Sequence, residues 1–257
     1  PPIWSIKMSQ IPALTGGRRL THDAVSDKGW YTRGVGSKVQ IFSDFIGGGA
    51  LPLDSAGGEG FVNHDTSSGG APTFAFQSAA DGVYMMKFHS TSEAEYLATY
   101  LGDAVCVSPT KGPIFEARVK LVLAGSTLSA DDRIVIGLAS ARNNTLDSIA
   151  DHVWFRMEGA NNNILAEGDD GTSDNNDNDT GVDYASGTFQ VFKIDMTDLT
   201  DVKFSIDGNR CALPEAIDVS AMAAGDYLQP YIEIQKDTGA EVHEVHIDYI
   251  SVLSDRT

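Results

Sequence analysis

The chain has 257 residues and a formal net charge of −18, long enough to bury a core without a disulfide or a metal. That charge repels nucleic-acid phosphates, and no apolar run approaches the ~18 residues of a membrane-spanning helix. Glycine is abundant, at 26 residues, and no long apolar period of 3.6 occurs, so an all-β class is expected.

Residues 1–40 stand apart. They carry six Lys/Arg against two Asp, whereas residues 41–257 carry twelve Lys/Arg against 34 Asp/Glu. The leading segment shows neither period 2 nor period 3.6. It has a Gly pair and scattered anchors at Trp4, Ile11, Leu14, Trp30 and Tyr31. It is read as an extended basic arm before a single β-sandwich spanning 41–257. Trp4, Arg18, Arg19, Trp30, Tyr31 and Arg33 are the residues expected to seat this arm on other chains, since rim charge governs encounter and buried aromatics govern the hold.

From about Lys38 the chain reads as strands. "IFEARVKL" sets Phe115, Ala117, Val119 and Leu121 on one face. "DHVWFRME" sets Val153, Phe155 and Met157 against His152, Trp154, Arg156 and Glu158. "DVKFSIDGNRC" buries Val202, Phe204 and Ile206 and then turns at Asp207-Gly208-Asn209. "YIEIQK" and "VHEVHIDYISV" are late strands, with Val245, Ile247 and Tyr249 expected on one side of the last. About a dozen strands joined by Gly/Asn/Asp/Ser turns imply two antiparallel sheets packed face to face. The one expected helix is short, over 214–225. Cys106 and Cys211 fall in predicted strands and are read as buried free thiols.

The series "FEARVKL", "RIVIGLA", "HVWFRMEG", "FQVFKIDM", "VKFSIDG", "VHIDYISV" resembles the concanavalin A-like jelly-roll sandwich of lectins, laminin-G modules and laminarinase-type glycoside hydrolases. The order of "IGLA", an acidic "DDGT…DTG" run and "VKFSIDG" also resembles virion structural proteins of tailed bacteriophages built on this sandwich. That resemblance implies a capsid decoration or cement protein on the virion surface. Its partners would be the major capsid protein and neighbouring copies of itself, with no nucleic acid and no membrane.

A laminarinase-like hydrolase would need paired carboxyls from one Glu-x-Asp-x-x-Glu strand. The matching stretch offers only Asp151 and Glu158, seven apart and therefore on opposite faces. No nucleophile elbow, phosphate loop or zinc pair occurs, and His243 and His246 fall on opposite faces of a strand. The expectation is therefore no enzyme, no catalytic residue, no metal and no cofactor. The acidic run "AEGDDGTSDNNDNDTGVDY" (166–184) fits no EF-hand register and is read as a solvated loop, with a non-standard calcium loop as its alternative. The alternative function is a lectin-like sandwich of a fibre or adhesin. Its face would gather His152, Trp154, Arg156, Glu158, Tyr231, Glu233, Gln235, His246 and Asp248, which share the non-apolar phase of their strands.

Overall fold

The computed structural model describes residues 18–22, 30–34, 38–45, 60–77, 82–104, 106–125, 127–223 and 225–255. Within residues 1–40, β1 (Arg18–His22) and β2 (Trp30–Gly34) pair antiparallel, so this part of the arm is a two-stranded sheet rather than uniformly extended chain. Arg18, Arg19, Trp30, Tyr31 and Arg33 stand on those strands. Trp4 lies outside the described residues.

The rest forms the expected sandwich. One sheet has seven strands, in the order β12 (Asp174–Asp183), β11 (Asn163–Asp170), β10 (Asp151–Glu158), β9 (Arg133–Ala139), β16 (Gln229–Lys236), β7 (Glu95–Tyr100) and β4 (Val62–Asp65). The other runs β15 (Asn209–Arg210), β14 (Lys203–Ile206), β13 (Phe189–Asp195), β8 (Ile114–Val122), β17 (Glu244–Asp255), β6 (Val83–Lys87) and β5 (Thr73–Gln77). β3 (Lys38–Ser43) lies beside β17, its Lys38 opposite Asp255, so the arm leaves from this sheet. Every pairing between named strands is antiparallel.

The alternation in the sequence is what closes the core. β8 turns Phe115, Ala117, Val119 and Leu121 inward, all at most 3% exposed, and β10 turns in Val153, Phe155 and Met157. Phe155 joins the two sheets: its ring meets Phe192 at 5.1 Å and Phe204 at 5.0 Å, both edge-to-face.

Four expectations need correction. The acidic run is no loop: β11 and β12 pair across it, turning at 171–173 where Asp170 Oδ1 accepts the Thr172 and Ser173 N–H groups at 3.0 and 2.6 Å. Four of its seven carboxylates, Asp174, Asp177, Asp179 and Asp183, stand on the edge strand β12, where charge blocks pairing with other chains. β17 carries a bulge between Ile247 and Tyr249, which flips the phase so that Ile250 and Val252 point inward and Tyr249 does not. Among the described residues of 214–225 no helix forms; Ile217 bridges to Val202, and Val219 and Met222 enter the core instead. Cys106 is exposed and outside the strands, while Cys211 is buried, and both are free.

Candidate functional site

The face of the seven-stranded sheet turned away from the core collects the polar and aromatic residues singled out above. Pairing aligns Glu167, Trp154, Gly137 and Tyr231 in one row across β11, β10, β9 and β16. Opposed residues share a face, so their side chains are neighbours. The next row is Leu165, Arg156, Val135 and Glu233, and the third holds Glu158, Arg133 and Gln235. His152 precedes them beside Ala139. His246 and Asp248 do not join, because β17 belongs to the other sheet; there they bind Glu244 and Arg118.

The aromatic rings form a continuous strip. His152 stacks on Trp154 at 3.7 Å between centroids, Trp154 faces Tyr231 at 6.3 Å, and Tyr100 meets Tyr231 edge-on at 6.1 Å. Gly137, with no side chain in the middle of the row, leaves the space these rings use. Acids close both ends. Glu167 Oε2 accepts Trp154 Nε1–H at 2.8 Å and an Arg156 Nη1–H at 3.3 Å. Glu233 accepts the Tyr231 hydroxyl, and Gln235 Nε2–H at 2.9 Å.

Burial sets the electrostatics. It pushes the Glu167 carboxyl up to about 7, against the lowering pull of Arg156 and Trp154. It likewise pushes Glu233 up to about 7, with Arg142 and Gln235 pulling down. Burial alone would lower Arg156, but Glu167, Asp147 and Glu158 outweigh it and hold the guanidinium charged. His152 is driven down by burial, and its Nδ1–H donates to the Ile149 carbonyl at 2.9 Å.

This face is not open. Trp154, Tyr231 and Glu233 are 0% exposed, and His152 and Arg156 are buried with them. The segment 140–150, between β9 and β10, crosses the rows. Its Leu146 and Ile149 pack with Val62, Ala98, Tyr100, Val135, Ala139, Trp154 and Tyr231 into a second apolar cluster, separate from the main core. The sequence reading expected a glycan-binding face here; the chain's own connection covers it.

Sequence reasoning missed Arg142, Asp147, Glu167 and the vacancy at Gly137. Glu167 was findable, since Ile164, Ala166 and Gly168 put Leu165, Glu167 and Asp169 on the opposite phase of one strand. Arg142 and Asp147 sit in a run without period and left no signal. Three strand spacings separate β11 from β16, about 14 Å at the backbone. Glu167 and Glu233 are therefore two separate groups rather than a glycosidase pair. Among the described residues no three His, Cys, Asp or Glu gather as a metal-holding group. What the arrangement offers is an aromatic strip with hydrogen-bonding acids and guanidinium groups along it, the composition that grips polar ligands with apolar ring faces.

No protein-family model and no curated protein matches the chain. Solved structures do. A protein of unknown function from Shewanella oneidensis MR-1 superposes with a TM-score of 0.57 at 15% identity, over 85% of this chain and 87% of that one. A carbohydrate esterase from the Shiga toxin-encoding bacteriophage phi24B gives 0.46 at 13%, over 77% and 91%. The polysaccharide lyase family-7 alginate lyase A1-II′ gives 0.45 at 14%, over 71% and 83%. At these identities the likeness is one of fold. The expectation that the chain is not an enzyme is corrected here: two of these similar sandwiches carry the names of carbohydrate-acting enzymes, and their likeness assigns this chain no activity. The sequence test looked for two carboxyls on one strand, whereas a sheet can bring acids from several strands to one face.

Proposed function

We propose that the chain is a carbohydrate-binding sandwich whose ligand face is the outer side of the seven-stranded sheet. The observation that carries this reading is the row Glu167, Trp154, Gly137, Tyr231, with Arg156 and Glu233 beside it. Aromatic faces take up the C–H side of a sugar ring, while the acids and guanidinium groups are placed to bind its hydroxyls. Calorimetric titration with a panel of neutral and uronate-bearing oligosaccharides tests it. Tyr231→Phe or Glu167→Gln should weaken binding by up to about tenfold, the worth of a hydrogen bond. If no oligosaccharide binds the unmodified protein, or if both variants bind as tightly as it does, the face is not the ligand surface.

A second reading places the same sandwich on the surface of a phage particle, held by its arm against the major capsid protein and neighbouring copies. Its support is the charge division, six Lys/Arg and two Asp in 1–40 before an acidic body, together with the motif order that resembles virion proteins. A sandwich that fills its own sheet face with a loop also suits such a role. Removing residues 1–37 should leave a folded domain that no longer decorates capsids. Arg18→Ala with Arg19→Ala should slow decoration chiefly at low salt, and Trp30→Ala should let bound protein wash off. Full occupancy by the truncated chain would remove the arm as the anchor.

A further inference from the structure

The covering segment is held by few contacts. Of residues 141–150 only Leu146 and Ile149 are buried, and most of the others are exposed. Apart from turn bonds within it and the Ser140 N–H to the Asp151 carbonyl at its base, its polar ties run to the rows beneath or to the neighbouring turn. Arg142 N–H donates to Asp103 Oδ1 at 2.9 Å, and Gln235 Nε2–H donates to the Asn144 carbonyl at 3.1 Å. Asp147 accepts Arg156 at 2.6 Å, and the Ile149 carbonyl accepts His152. Arg142 Nη2 lies 3.6 Å from Glu233 Oε1, an ion pair too long for a hydrogen bond.

Closure also leaves polar atoms stranded. Arg142 Nε and Nη2, Glu167 Oε1 and His152 Nε2 are buried with no hydrogen-bond partner. A buried unpaired group costs more than the same group in water, so the closed arrangement carries a penalty that opening removes. Four of the eight such atoms among the described residues gather here, beside one exposed connection and an aromatic strip.

We propose that segment 140–150 is a lid over the saccharide face, held down by Leu146 and Ile149 on the aromatic strip and by Asp147 on Arg156, and released when the acids beneath it lose their protons. The proposal rests on the saccharide reading of that face. Its direction follows from what surrounds each acid. Glu233 faces Arg142 from the lid, Tyr231 and Gln235 on its own strand, apolar Val135 on β9 and Ala98 on β7, with His64 beyond on β4. Glu167 faces Trp154 and Arg156 on β10 and feels Asp177 on β12; Asp147 of the lid and Glu158 share Arg156 with it. Burial outweighs the cations, so both carboxyls bind protons more tightly closed than in water, at about 7 against an ordinary 4.5. The stabilisation of the closed form is complete below about 4.5 and is lost as pH rises through about 7. The lid is shut in acid and opens toward alkaline pH.

The chain has three tryptophans, Trp4, Trp30 and Trp154, so Trp4→Phe with Trp30→Phe leaves Trp154 as the sole reporter beneath the lid. Acrylamide quenching of this protein should rise at least about threefold between pH 5.5 and 8.5, with circular dichroism unchanged. Adding Glu167→Gln and Glu233→Gln should abolish the rise. Amide exchange over 141–149 in the unmodified chain should accelerate across the same interval. Quenching that stays low at both pH values, with 141–149 exchanging as slowly as β10, overturns the lid. Oligosaccharide binding with Trp154 shielded throughout would sink the lid and leave the saccharide reading standing. Exposure of Trp154 without binding of any oligosaccharide would do the reverse.

Discussion

A Cβ on Gly137 would lie 2.3 Å from the Val153 carbonyl oxygen and 2.6 Å from Trp154 Cα. Both are main-chain atoms of β10, which cannot rotate away. Gly137→Ala should therefore push β9 from β10 and disturb the Trp154–Tyr231 strip, costing about 1–3 kcal/mol. A thermal melt reads this directly, at roughly 2–4 °C per kcal/mol for a chain of this size. Glu167 makes a second residue-scale prediction. Its folded value of about 7 exceeds the ordinary 4.5, so its stabilising contribution is whole below about 4.5 and lost as pH rises through about 7. Glu167→Gln should remove that loss, shrinking the fall in unfolding free energy between pH 5 and 8.5 by about 1–3 kcal/mol. An unchanged pH profile in denaturant titrations would mean Glu167 is not held as described. At this scale Trp154, Arg156 and Tyr231 were legible, because period-2 alternation assigns a face. Their burial was not, since alternation says which face a residue takes and nothing of what later crosses it.

The strands with apolar alternation, such as β8, β10 and β14, were readable because every second side chain is one the core requires. β12 was unreadable for the opposite reason. Its inward positions are Asn178 and Thr180, both buried, with Thr180 Oγ1–H donating to the Ile164 carbonyl at 2.7 Å. Polar residues can fill such positions on an edge strand when their hydrogen bonds are met locally. Nor could sequence place the bulge in β17, an added residue that changes phase without changing composition. Asp170 ties the acidic hairpin to the rest: Oδ1 caps the 171–173 turn and Oδ2 accepts the Ala221 N–H at 2.9 Å. Asp170→Ala strands three N–H donors, so a loss of about 1–3 kcal/mol is expected. Amide exchange should quicken over 163–183 before it does in β8 or β13. Uniform exchange throughout the sandwich would show that the hairpin does not depend on this residue.

Across the whole molecule, the two-sheet architecture followed from strand number, glycine-rich turns and the absence of helical periods. The order of strands within each sheet did not, because it depends on long crossovers that leave no local trace. It is this order that matters for function, since β9 between β10 and β16 is what joins Trp154 to Tyr231 through Gly137. The fold thus assembles from three separated stretches a strip that no single motif announces, and one connection covers it. Calorimetry with the best-bound oligosaccharide at pH 5.5 and 8.5 is the sharpest test, because binding requires both the face and its uncovering. Binding should be clear at pH 8.5 and at least about tenfold weaker at pH 5.5, with the difference lost in the Glu167→Gln, Glu233→Gln chain. Equal affinity at the two pH values, or tighter binding in acid, would mean that the sheet face is not uncovered by loss of these protons.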